Sequence, residues 1–216
     1  MSATVSFSRR ELRDLVASWL ALGVAFALFF LGGGSAAASA LTAGAVGPLV
    51  TALLVSLFTA GIGFLLHELG HKVVAVRYGQ RAAFRADYGM LFLAIAAALA
   101  GFLFAAPGAV HHQGRITERE HGLIALAGPA VNLALAVCFL AVLVAGVAVG
   151  APLAAGVGGL GVTVNLFLAA FNMLPVGALD GATVKSWSTP VWAVVFVVSV
   201  VLAVGAWLGG LGFELL

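Results

Sequence analysis

Charge is what this sequence has least of. Of its 216 residues only 8% are Asp, Glu, Lys or Arg, whereas 63% are hydrophobic, and the mean hydropathy is +1.18. A water-soluble domain carries roughly 25% charged residues, so water is not the solvent for most of this surface. Cysteine is nearly absent: Cys138 stands alone, which excludes an internal disulfide, and inside an apolar run it reads as a small hydrophobe packed in a helix. No stretch is polar enough for a soluble domain, and no internal repeat is evident. The net charge is +2 and the pI near 9.1, but the few basic residues flank hydrophobic runs, as orientation signals do. They form no patch for nucleic acid, which is not expected as a partner.

What is present is a series of apolar runs long enough for a bilayer core, which asks for roughly 20 residues per helix. They cover about Leu15–Leu31, Gly47–Val76, Met90–Ala106, Leu123–Val149, Leu160–Leu174 and Val191–Leu211. The expected fold is therefore an all-α polytopic membrane protein with about five to six transmembrane helices, forming one domain over residues 1–216. The small residues after the first run (GGGSAAASA) fit a signal-peptidase site, but the run is long and a retained signal-anchor explains it equally. Lys and Arg concentrate at the N-terminus, after the second run and around Lys185, while 32–47 and 150–159 have none. The positive-inside rule then predicts a cytoplasmic N-terminus in the plasma membrane of a prokaryote.

The chemistry centres on His67-Glu68-Leu69-Gly70-His71. On a helix, i and i+4 share a face, so both imidazoles reach one zinc. Glu68 stands beside them, free of the ligand shell, where it can take a proton from a water activated by the metal. Each ionisable group at mid-membrane costs at least about 2.5–3.5 kcal/mol, so three in five residues imply a compensating partner. A catalytic zinc needs a third protein ligand. Asp180 is the natural one, since Asp14 flanks the N-terminus and Asp87 lies among arginines that pair its charge. A solvated loop residue beside Lys185 is the other reading of Asp180. Pro175 ends a helix here, and Gly177 and Gly181 loosen the backbone.

The crossing number is tied to this site. If Met90–Ala106 crossed once, Asp180 would emerge on the opposite side from His67. A re-entrant or β-like membrane-embedded element after the HExxH helix, with five full spans, brings both to one depth. Such backbone is acceptable where it lines a protein cavity.

Together, HELGH and the downstream Asn172-Met173-Leu174-Pro175-Val176-Gly177-Ala178-Leu179-Asp180-Gly181 resemble the site-2 protease family of intramembrane metalloproteases. Ala127-Gly128-Pro129-Ala130-Val131-Asn132 resembles that family's GPxxN helix start. The three motifs occur in the family's order, giving a catalytic core of about 47–181. The resemblance implies one Zn²⁺ per chain on His67, His71 and Asp180, Glu68 as the catalytic base, and Asn172 and Pro175 near the metal for substrate or transition-state positioning. It implies cleavage of single-span membrane proteins within or near the lipid bilayer, as in regulated intramembrane proteolysis. The chain departs from the family at Gly177, often proline, and at Ala182, often glycine. Nothing resembles a PDZ or CBS domain.

Two other functions compete. A metal or proton transporter would place ionisable residues on several spans, whereas here they cluster at one depth. A catalytically inactive, partner-binding homologue would have lost Glu68 or a ligand. His111 and His112, with His121 nearby, admit a second metal site but read first as a solvated loop. Asn132 and Asn165 are candidates for hydrogen bonds between helices.

Overall fold

The computed structural model describes residues 4–103 and 108–212. Helix α1 (Arg9–Phe30) starts where the Ser8 hydroxyl accepts the Glu11 N–H at 3.1 Å, satisfying one of the donors a helix start leaves open. After the short α2 (Gly34–Thr42), α3 runs from Val46 to Arg77 and carries the HELGH motif. A π turn at Leu57–Gly61 widens it, and the Trp19 indole donates to the Leu57 carbonyl at 3.0 Å within that turn. Strand β1 (Arg81–Ala86), helix α4 (Tyr88–Leu99) and strand β2 (Gly108–Gln113) follow. Then come α5 (Glu118–Ala148), α6 (Pro152–Asn172), α7 (Asp180–Trp187) and α8 (Thr189–Leu208). A capping box between Thr117 and Glu120 opens α5.

Helices α1, α3, α5, α6 and α8 are each long and apolar enough to cross a membrane, so the protein is an all-α polytopic membrane protein with five candidate spans. The core joins Leu22 and Phe26 of α1 to Phe64 of α3, Phe84 of β1, and Leu160, Val164 and Leu168 of α6. Outward faces are apolar too, as on α8 with Val194, Val197 and Val201 exposed, the pattern of a surface that meets hydrocarbon. Cys138 is exposed on α5 and not packed inside as its apolar surroundings implied.

The stretch after the HELGH helix differs from a span. Helix α4 has 12 residues, about 18 Å at 1.5 Å per residue, against a hydrocarbon core of about 30 Å. It packs Ala94 and Ala98 onto Ala25 of α1. The chain leaves β1 at Ala86 and returns at Gly108, its partner in the antiparallel ladder. The expected apolar stretch 90–106 is thus a short helix within a β-hairpin; its end, 104–106, lies outside the described residues. The loop expected over 32–47 contains α2. The break expected over 150–159 is mostly the first turns of α6. Asp87 accepts the Met90 N–H at 3.0 Å and caps α4, a use its arginine neighbours did not indicate.

All ten Lys and Arg residues belong to the end where the start of α1, the end of α3, the hairpin, the start of α5 and α7 come together. The tie there is a buried ion pair. Lys72 Nζ donates to Glu11 Oε1 at 2.6 Å with both side chains 2% exposed, and the same oxygen accepts the Phe84 N–H at 3.1 Å. One carboxylate oxygen thus joins α1, the residue after His71, and β1. Removing one partner of a buried pair strands the other charge, at about 3–5 kcal/mol, whereas replacing both with apolar groups is often neutral. Lys72→Met should therefore lower unfolding stability in detergent by about 3–5 kcal/mol, and Glu11→Leu combined with Lys72→Met should restore most of it. Thermal unfolding of the purified variants measures this.

Candidate metal centre

Helical spacing on α3 puts His67 and His71 on one face, with ring centroids 4.6 Å apart. What aims the rings is their other nitrogen. His71 Nδ1 lies 2.7 Å from the carbonyl oxygen of Ile124, so Nδ1 is the donor. His67 Nδ1 lies 2.6 Å from Asn132 Oδ1. The Asn132 amide nitrogen donates to Gly63 O at 3.1 Å and to Asn165 Oδ1 at 3.0 Å, which leaves its oxygen for His67 and makes that Nδ1 a donor too. In the neutral rings both Nε2 atoms therefore carry lone pairs. Asn165 in turn donates to Gly161 O at 2.9 Å, so a buried line of amides from α6 through α5 fixes His67. Such outer partners set the tautomer and orientation of metal-binding histidines. The interhelical bonds anticipated for Asn132 and Asn165 are present.

The GPxxN stretch of α5 is shaped to this face. A side chain at Gly128 would overlap both histidine Nε2 atoms, and Asn132 follows one turn later on the same face of α5. Without a bare backbone at Gly128 the helix could not close over the rings.

Asp180 arrives from the other side. Helix α6 ends at Asn172, and the chain turns through 173–179 with Met173 fully buried against Ala125 and Val184. Gly177 adopts φ +58°, which proline, fixed near −65°, excludes, so this departure from the family pattern is built into the turn. Asp180 is the first residue of α7, not a solvated loop residue, and a carboxylate is favoured at a helix start. Its Oδ2 lies 3.2 Å from His67 Nε2 and 3.4 Å from His71 Nε2, while the two Nε2 atoms are 2.9 Å apart. Burial would raise the Asp180 carboxyl, but the His71 and His67 rings, when they carry protons in place of a metal, hold it well below the usual carboxylate range. It faces them as an anion.

Three lone-pair donors thus converge, and Asp180 Oδ2 is buried with no hydrogen-bond partner among the described residues. Ligands about 2.0–2.1 Å from a tetrahedral ion lie about 3.3 Å from one another, close to the spacing seen. Among the described residues His67, His71 and Asp180 form a group able to hold a metal ion. Two imidazoles and a carboxylate suit zinc.

The triad forms the floor of a cavity of about 940 Å³. Glu68 lines it, with Oε2 buried and unpartnered, and the backbone of Val110 in β2 lies beside its carboxyl. Asn172 lines the same cavity, with its amide donating to Leu168 O at 3.0 Å. Pro175 stands in the turn and is not among the lining residues. Lining residues that sequence reasoning passed over are Val110, whose only sequence signal was its place beside two histidines, and Tyr88, whose hydroxyl donates to Asp14 Oδ1 at 2.9 Å.

Because Asn132 orients His67, Asn132→Leu should weaken zinc affinity about 10–100-fold. Gly128→Ala should remove zinc almost entirely by displacing both rings. Both are read by equilibrium metal binding, with helix content checked by circular dichroism.

Comparison with known proteins fits this centre. Over 191 residues the chain is 37% identical to a protein of Methanocaldococcus jannaschii that bears the name "Putative zinc metalloprotease", with 88% of this chain and 90% of that one covered. No protein-family model matches the chain, and no solved structure matches it. Identity of this extent along nearly the whole of both chains means that the protein belongs to the zinc metalloprotease family of which that archaeal chain is a member.

Proposed function

We propose that the protein is an intramembrane metalloprotease of the site-2 type, cleaving single-span membrane proteins near the edge of the bilayer. The observation that carries this reading is the convergence of His67 Nε2, His71 Nε2 and Asp180 Oδ2 beside the free carboxyl oxygen of Glu68, at the floor of a cavity within a polytopic membrane protein.

Depth supports it. His67 lies 21 residues after Val46, about 31 Å along α3, roughly one hydrocarbon thickness from the start of the helix. The remaining turns carry Lys72 and Arg77 into the charged end. The positive-inside rule puts that end in the cytoplasm and makes β1–α4–β2 a re-entrant element. Water then reaches the site from the cytoplasmic side without crossing hydrocarbon.

When bound by His67, His71 and Asp180, zinc would supply Lewis acidity toward the scissile carbonyl and toward water. Glu68 takes the proton from the attacking water and passes it to the leaving amine, a general base that becomes a general acid. Its Oε2 has no competing hydrogen-bond partner among the described residues. Asn172 offers a neutral amide on the cavity wall for a substrate carbonyl, and Pro175 stops α6 so that the chain can turn back to Asp180.

A spanning substrate helix satisfies its own backbone and must be opened before hydrolysis. The hairpin register offers a place for the opened segment. Phe84 faces Val110 in the ladder, yet its N–H goes to Glu11, which marks a non-hydrogen-bonded pair. Val110 then directs its N–H and C=O away from β1, on the side where Glu68 lies. An extended peptide adding to that edge would be carried past the metal. A transporter would need ionisable groups along its spans; among the described residues they gather at one end.

Glu68→Gln should retain zinc while lowering cleavage of a reconstituted single-span substrate by about 10²–10⁴-fold. Asp180→Ala should lose both zinc and cleavage. Cleavage that persists in Glu68→Gln would exclude the mechanism, and unchanged zinc in Asp180→Ala would remove the third ligand.

A further inference from the structure

Above the triad, the cavity has a second group of imidazoles. His111 and His112 of β2 and His121 of α5 all line it, with His121 exposed and His112 partly buried. The rings of His112 and His121 lie 5.4 Å apart, centroid to centroid, at 72°. Two imidazoles sharing one tetrahedral zinc, each nitrogen about 2.0–2.1 Å away, have centroids about 5 Å apart. The triad histidines show much the same arrangement, 4.6 Å apart at 82°.

Nothing else claims these rings. Neither is engaged in a hydrogen bond among the described residues. Burial, then the nearby His121, His71 and His111, hold the His112 ring below the usual histidine range, which favours the neutral form a metal needs. The nearest acid in sequence, Glu120, is occupied at the start of α5, with Oε2 2.7 Å from the Thr117 nitrogen and 3.0 Å from its hydroxyl. Among the described residues no carboxylate joins the pair in a group of three ligands, so water would fill the remaining positions around a bound ion. Imidazole selects zinc and other first-row transition metals over magnesium or calcium.

We infer that His112 and His121 form a second, weaker transition-metal site at the rim of the cavity, bridging β2 to the first turn of α5. Its position gives it a consequence. Metal bound there ties the hairpin to α5 across the approach to the buried triad, so excess zinc stiffens and narrows the route that both the resident metal and a peptide must use. The site does not depend on the proteolytic reading, since it needs only two free imidazoles facing one another.

Zinc binding to the tag-free full chain in detergent, by isothermal titration, tests it. Wild type should take up about two ions per chain, one tight and one at least about tenfold weaker, because two ligands hold zinc less well than three. His121→Ala, at an exposed position that folding does not require, and His112→Gln should each remove the weak ion and keep the tight one. Asp180→Ala should weaken the tight ion and leave the weak one. A single ion in wild type that Asp180→Ala weakens, or a weak ion that survives both histidine variants, would overturn the rim site while leaving the triad untouched. A single ion that the histidine variants remove and Asp180→Ala leaves in place would instead overturn the triad alone.

Discussion

Three lone pairs aimed at one point repel each other, and the rest of this structure exists to hold them there. His67 Nε2, His71 Nε2 and Asp180 Oδ2 lie between 2.9 and 3.4 Å apart on side chains that are largely buried. Only positive charge between them relieves that repulsion. Around them the fold supplies directional support: the Ile124 carbonyl and the Asn132 amide on the two Nδ1 atoms, and a turn fixed by Met173 and Gly177 behind Asp180. The first two supports come from α5 and the last from the turn between α6 and α7, so the centre also records how these helices and α3 are assembled.

Low dielectric surroundings explain why so many of these supports are polar and buried. An unpaired amide or carboxylate would be costly here, so the polar atoms are linked in lines. Asn165 and Asn132 lead to His67; Lys72, Glu11 and Phe84 join the helix after His71 to the hairpin. The exceptions are Glu68 Oε2 and Asp180 Oδ2, both in the centre itself, together with Gln80 and two serine hydroxyls. Groups left open at the base of a cavity are where chemistry is to be expected.

The charged end gathers these functions. The start of the chain, the hairpin and the site meet where every Lys and Arg lies, while the opposite end has no charged side chain among the described residues. The hairpin is the most economical part of this arrangement. One strand is fastened to α1 through Glu11, and the other turns Val110 and its histidines toward the cavity.

Much of this was legible in the sequence for a simple reason. Apolar runs of about 20 residues report a membrane solvent directly, and HELGH encodes its own geometry, because i and i+4 are neighbours on any helix. Asp180 was legible as a candidate by elimination, and Asn132 as a polar residue with nowhere to hide. The sequence could not tell that 90–106 holds a 12-residue helix inside a hairpin, because an apolar run has no marker of where its backbone turns back. Nor could it orient Asn132 toward His67, turn Asp180 into the first residue of α7, or face His112 toward His121. Those depend on contacts between residues nine to 113 positions apart, where packing, and not local preference, selects the partner. The sequence alone determined the solvent, a count of five to six long apolar runs and the histidine pair within one helix; the approach of Asp180 to that pair, the ring orientations and the second histidine pair were decided only when separate elements closed on one another.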